Sequence, residues 1–385
     1  MSRACLRVDP TASLRAAFSH TVASAGAIPC SLHMAWPGGS DCHPSEGLNE
    51  SVIASVDAIL PASFCGGCDD SDVRAACRGS LERLGAHKVH WECWSECNLS
   101  CQFCYRTRGV PLETPDAERL LAAVAVAGAE TIVFAGGDPS LRRDIVHLLR
   151  RARALGLMTE VQTNAHHAPA DFRQALIEAD SVGLSLDGPT AEVHDRFRSK
   201  RGNFARVFEV LDVLERAGVP VTVRTVVARP NFRQLAEIGE LLLPYGNVAF
   251  WHLLEFSAVG AGYRNRPMYE LERALFDEVV VQVTARYEGK VEIHARRSEV
   301  KSGAYVMITP DGAVYGTADA TVDGLYPRVG SVLQDHLSEL AERLEFRREV
   351  HEDRYRAIAA KLRETREALA QAPPVIQRGL VEGMD

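Results

Sequence analysis

Between His90 and about Phe256 short apolar runs rich in Val, Ile and Phe alternate with helical patterns that end at glycine. KVHWEC predicts a first strand, followed by a cysteine-bearing loop and a helix from about Pro115 to Ala127. TIVFAGGDP, MTEVQTNA, SVGLSLDG, VPVTVRTVV and VAFWHLLEF predict strands two to six. DIVHLLRRARALG, DFRQALIEA, NFARVFEVLDVLERAG and NFRQLAEIGELLLPYG predict the helices between them. Strands alternating with amphipathic helices argue for an α/β chain with a parallel sheet. Right-handed crossovers would roll six such units into a partial (βα)6 TIM-type barrel with its chemistry at the C-terminal strand ends.

The flanks read differently. Residues 1–87 are rich in Ala, Ser, Gly and Cys with little periodicity, and are expected to form a separate N-terminal cysteine-rich extension. Within it SEGLNESVIASVDAIL suits a short helix capped by Ser45 or Asn49. The barrel is expected over 88–257, a C-terminal β-hairpin and helical cap over 258–371, and a polar tail over 372–385. In the cap, MYELERALFDEVVVQVTARY predicts a helix, AYVMITPDGAVYG a hairpin around Pro310-Asp311-Gly312, and residues 334–371 further helices.

Composition narrows the function. The 385 residues are 46% hydrophobic and 24% charged, as in ordinary globular proteins. No apolar run approaches the roughly 20 residues that span a bilayer, and MSRACLRVDPTASLRAAF lacks the apolar centre of a secretory signal, so a cytoplasmic location without a membrane partner is expected. A net charge of −8 with interspersed signs disfavours a nucleic-acid partner.

All ten cysteines lie between Cys5 and Cys104. Such crowding suits metal ligation better than a disulfide framework. Cys97, Cys101 and Cys104 in WECWSECNLSCQFCYR have the spacing C-x3-C-x2-C, close enough for one loop to turn three thiolates inward. Structural zinc takes four protein ligands. Three thiolates instead suit a cubane cluster with one iron left open, with a zinc knuckle as the alternative. Upstream, Cys65, Cys68, Cys77 and Cys93 form a candidate second metal site for a cluster or zinc, or else are simply small buried thiols.

The triplet, with Phe103 before its last cysteine and Tyr105 after it, resembles the radical S-adenosylmethionine (SAM) superfamily. That resemblance implies a [4Fe-4S] cluster on the three cysteines, SAM chelated to the fourth iron, and a reductase such as flavodoxin or ferredoxin as electron donor. Gly136-Gly137-Asp138-Pro139 resembles the family's GGEP motif, implying contact with the SAM amino group through Gly136, Gly137 and Asp138. SLDG followed by HDRFR resembles a SAM-carboxylate segment, implying roles for Ser185 and Arg198. Gln162, Thr163 and Asn164 fall where the family places ribose contacts. Arg224, in a Val-rich run, should face the barrel interior and find a carboxylate or an anionic ligand.

YVMITPDGAVYG also resembles the opening of a SPASM or twitch module, but Gly316-Thr317 replaces Pro-Cys and no cysteine follows. The resemblance is therefore to a cluster-free, viperin-like cap, beside which Arg296-Arg297 either meets a phosphate or carboxylate or is plain surface charge. With no late cysteine, candidate hydrogen donors to a substrate radical are Tyr263, Tyr305 and Tyr315, an N-terminal cysteine or regenerated 5′-deoxyadenosine. The resemblance implies abstraction of hydrogen from a small polar molecule such as a nucleotide, an aminosugar or a specialised-metabolite intermediate. Two alternatives stand beside it: a peptide-modifying maturase, and a non-catalytic iron–sulfur or zinc protein.

Overall fold

A computed structural model describes residues 79–298, 303–317, 326–335, 337–344 and 346–371. The N-terminal expectations, including Cys65, Cys68 and Cys77, lie outside these residues. After a short helix α1 (Ser80–Leu84), six βα repeats follow as expected. The strands are β1 (Lys88–Trp94), β2 (Thr131–Gly136), β3 (Met158–Thr163), β4 (Ser181–Ser185), β5 (Val221–Val227) and β6 (Val248–Glu255). Between them lie α2 (Thr114–Val126), α3 (Ile145–Ala154), α4 (Ala170–Glu178), α5 (Ala191–Arg198), α6 (Asn203–Arg216) and α7 (Leu235–Leu242). Each neighbouring strand pair is parallel.

The sheet does not stop at six strands. After α8 (Ala261–Arg264), α9 (Arg266–Tyr269) and α10 (Arg273–Tyr287), β7 (Ile293–Arg296) adds a seventh parallel strand beside β6. The TPDG hairpin, β8 (Val306–Ile308) and β9 (Ala313–Gly316), joins the opposite edge through β8, which runs parallel to β1. Strand β10 (Arg328–Ser331) completes an open ten-stranded sheet, so the hairpin expected as a cap continues the barrel wall. Two helices follow, α11 (Leu337–Arg343) and α12 (Arg348–Gln371).

Three departures have local causes. The helix expected over 231–246 is cut short because Pro244 disfavours helix before it, and it opens with a 3-10 turn at Phe232–Gln234. The single helix expected over 268–287 is broken between α9 and α10. There the Tyr269 and Glu270 carbonyls accept from Arg229 N–H (3.0 Å) and Arg229 Nε (3.2 Å), which removes them from the helical ladder. Helix α12, expected in the cap, instead crosses the N-terminal ends of the strands. Its His351 Nε2 accepts from Lys88 N–H (3.3 Å), Tyr355 Oη donates to Glu130 (2.7 Å), and Arg366 donates to the Asp180 carbonyl (2.6 Å).

Strand alternation sorts the two faces of the wall. Val89, Trp91 and Cys93 of β1 pack outward into the main apolar core with Val161, Val221, Val223, Trp251 and Leu253. Lys88, His90, Glu160, Gln162, Arg224 and His252 face inward and line a central cavity of about 150 Å³. This interior is polar, and α12 closes its floor with His351, Tyr355 and Ile358.

Candidate functional site

At the mouth, the glycines of GGDP fix the cysteine loop. Gly137 N–H donates to the Trp94 carbonyl (2.7 Å) and Asp138 N–H to the Glu96 carbonyl (2.8 Å). A Cβ on Gly137 would overlap the Glu96 carbonyl, and Gly136 sits at φ 127°, where a side chain is strained. Backbone thus packs on backbone immediately before Cys97.

Asp138 is fully buried. Its carboxylate accepts from Ser140 N–H (3.0 Å) and Oγ (2.6 Å), from Thr163 Oγ1 (3.0 Å) and from Asn164 N–H (2.7 Å). These four donors fill the roughly four lone-pair sites of a carboxylate. The structure therefore gives Asp138 and Thr163 the work of tying the end of β2 to the end of β3. Asn164 carries that tie onward, its Nδ2 reaching Cys97 Sγ (3.4 Å) and Asn98 Oδ1 (2.8 Å).

On the other side of the loop, Arg198 pairs with the buried Asp187, stacks over the Phe103 ring at 5.3 Å, and offers its carbonyl to Cys101 Sγ (3.3 Å). Phe103 in turn packs on Phe197 at 4.6 Å and Tyr269 at 5.6 Å. Behind Arg198, Asp187 accepts from Val226 N–H (2.7 Å), and its own N–H donates to His194 Nδ1 (3.1 Å). His194 reaches Asn203 (3.0 Å), which donates to the Asn164 carbonyl (2.8 Å) and closes a ring around the mouth. The DG and HD letters of the motif thus build scaffold as well as site, a role the sequence reading left unassigned.

The three cysteines are half-buried, as ligands with one face toward a cluster should be. Burial pushes the Cys97 thiol up and the Cys101 thiol to about 11, so the thiolates call for a cation, which iron supplies. Cys97 sulfur already receives two N–H donors, from Leu99 (3.4 Å) and Asn164 (3.4 Å), which suit a thiolate. Among the described residues no three His, Cys, Asp or Glu side chains converge on one point as a single ion requires. A cubane does not ask for that, because each thiolate meets a different iron. The residues therefore fit a [4Fe-4S] cluster. The superfamily profile described as "Radical SAM superfamily" matches residues 91–242. Residues 91–242 are a radical SAM domain.

Individual proteins show further likenesses. An AdoMet-dependent heme synthase of Oleidesulfovibrio alaskensis is 33% identical over 174 residues, covering 43% of this chain and 44% of that protein. A PqqA peptide cyclase of Rhodopseudomonas palustris is 32% identical over 154 residues, covering 38% and 41%. The chain spans about half the length of the curated relatives it matches, from 44% to 52% of the first three. The crystal structure of Streptococcus suis SuiB bound to S-adenosylmethionine superposes with a TM-score of 0.56 at 15% identity, covering 68% of this chain and 67% of that one. It shows the shared fold. No helix among the described residues is long and apolar enough to cross a membrane.

The remaining predicted residues disperse. Gly136, Gly137, Thr163, Asn164, Phe103 and Arg198 gather around the cysteine loop. Ser185 lies at the end of β4, paired in register with Arg224. Tyr105 is about half exposed and lines the cavity. Tyr305 lies edge-on to His90 at 5.2 Å, and Tyr315 is buried and stacked on Tyr326 at 5.8 Å, all facing the cavity. Tyr263 is 44% exposed on α8, away from that lining.

Cys93 departs from the expected second site. It packs in the apolar core, its Sγ donates to the Ala135 carbonyl (3.3 Å), and burial pushes the thiol up to about 12, so it is a core residue.

Below the mouth, Arg224 finds the internal carboxylate its position demanded: Glu160 accepts from Arg224 (2.7 Å) and Lys88 (2.5 Å). Burial alone would raise the Glu160 carboxyl, but the two cations hold it well below the usual range. Glu92 was missed by the sequence reading. Burial pushes it up to about 7, against hydrogen bonds from Thr107 and Tyr315. The available signal was the run K-V-H-W-E-C, where every second letter is polar in an otherwise apolar strand.

Proposed function

We propose that this chain is a radical SAM enzyme that acts on a substrate held in the cavity beneath its cysteine loop. The observation that carries this is the mouth itself. One rigid loop presents Cys97, Cys101 and Cys104, bare glycine backbone on one side and the Arg198–Asp187 pair on the other, directly above a polar cavity. Cys97, Cys101 and Cys104 would hold the [4Fe-4S] cluster, and Gly136, Gly137, Asn164, Ser185 and Arg198 border the space SAM would take. When bound, cluster and SAM supply reductive cleavage to methionine and a 5′-deoxyadenosyl radical that takes a hydrogen atom from substrate. The chain's own part is to orient and to exclude water: α12 seals the floor, and the β8–β9 wall brings Tyr305 and Tyr315 to the cavity as candidate hydrogen donors.

A small molecule with polar groups fits the charged lining. A peptide is the second reading, favoured by the match to PqqA peptide cyclases. An external one-electron reductase of flavodoxin or ferredoxin type, and a cytoplasmic setting, follow from the same chemistry. Anaerobically reconstituted protein given SAM and dithionite should release 5′-deoxyadenosine, and the joint change of Cys97, Cys101 and Cys104 to Ala should abolish it. Release of none by the wild type would refute this function.

A further inference from the structure

Among the described residues, one cation of the cavity has no counter-ion. Arg296, the last residue of β7, is only 9% exposed and lines the cavity, yet among the described residues no carboxylate pairs with it. Two neighbours are also incomplete. Arg224 gives one nitrogen to Glu160 while its buried Nε finds no acceptor, and the buried His252 Nε2 has no partner. Among the described residues that line the cavity, Lys88, Arg224 and Arg296 face one carboxylate, that of Glu160. Burying an arginine without a partner is costly, and so is burying an unpaired imidazole nitrogen. Such groups persist where a ligand completes them.

The ligand's chemistry can be read from the wall. Leu254, Met307 and Ile358 share the lining with the cations, so the cavity takes a molecule with some apolar surface and an anionic end. A guanidinium fork matches the two coplanar oxygens of a carboxylate.

We propose that Arg296, with Arg224 and His252, forms a subsite for a carboxylate of the substrate. Burial and the Arg224 charge keep His252 neutral, so its Nε2–H tautomer can donate one hydrogen bond without adding charge. The assignment of the ligand as substrate rests on the function proposed above; the anion subsite itself does not.

Calorimetric titration of the reconstituted full chain with 4-phenylbutyrate, 4-phenylbutanamide and inorganic phosphate tests it. The acid should bind at least tenfold more tightly than the amide or phosphate. Arg296→Gln should weaken the acid at least tenfold and Arg296→Lys less, while Arg286→Gln, on the outer face of α10, should leave it within twofold. Because Arg296 is unpaired, Arg296→Gln should melt no lower than wild type. If it does fail to fold, His252→Ala should show a severalfold loss in its place. Equal binding of acid and amide, tighter phosphate, no binding at all, or an unaltered Arg296→Gln or His252→Ala would overturn the proposal. A parallel fall in SAM affinity would hand Arg296 to the cofactor and overturn it too. Release of 5′-deoxyadenosine is scored on the same wild-type sample: its absence removes the proposed function and leaves the subsite standing.

Discussion

Two carboxylates on the same inner wall of the barrel have opposite fates. Glu160, midway down, is flanked by Lys88 and Arg224, which keep it ionised far below the usual range despite burial. Glu92, near the mouth, is equally buried but meets only neutral donors from Thr107 and Tyr315, and burial lifts it to about 7. Depth alone therefore does not set charge in this interior; the count of nearby cations does. The rim is built on backbone docking and a buried hydrogen-bonded ring, in which the Asp138 carboxylate meets neutral donors and Asp187 pairs with Arg198. The interior is built on charge, with cations in excess.

The largest expected effect is at Glu160. Glu160→Ala leaves Lys88 and Arg224 buried together and should cost about 3–5 kcal/mol in denaturant unfolding. Because the folded pKa lies below the unfolded one, the wild-type contribution is full above about pH 4 and is lost as pH falls further. The substituted protein should show a flatter acid limb. A loss under about 1 kcal/mol would mean that the pair is solvated and the contrast with Glu92 is false.

Gly137→Ala should come next, at about 3 kcal/mol or more, because the added methyl must displace backbone rather than a side-chain tip. Reconstituted iron should fall severalfold, and near wild-type iron content would show that the loop does not depend on this contact.

Glu92→Gln should act in the opposite direction. Its folded pKa of about 7 is raised, so the wild-type carboxyl destabilises the fold increasingly as pH climbs from about 4 to 7. The amide should stabilise the chain by about 2 kcal/mol at pH 8 and by little at pH 4. Stabilisation independent of pH would argue that Glu92 titrates normally. Smallest is the floor: Tyr355→Phe removes the hydroxyl from Glu130 and Thr131 and should cost about 1 kcal/mol in the same unfolding assay.

The rim was far more legible in sequence than the interior. Six strands, the cysteine triplet, the paired glycines and Arg198 all announce themselves by spacing within a short stretch of chain. Strands β7 and β10 did not, at four residues each, although the alternation V-E-I-H-A-R around β7 was available. The course of α12 could not be read, since its polar pattern says that it is a helix but not which end of a barrel it covers. Cys93 shares strand phase with Val89 and Trp91, which face the core, so its place was legible despite its grouping with the upstream Cys65, Cys68 and Cys77. Arg224 is expected to meet a carboxylate or an anionic ligand, but Glu160 lies 64 residues away and only the curvature of the open wall joins them.

The claim that three thiolates leave one iron vacant for SAM is tested most directly by electron paramagnetic resonance of the anaerobically reconstituted, dithionite-reduced chain. The account predicts a [4Fe-4S] signal whose g-values change when SAM is added. A reduced-cluster signal indifferent to saturating SAM, or a sample that holds zinc and no iron, would contradict it.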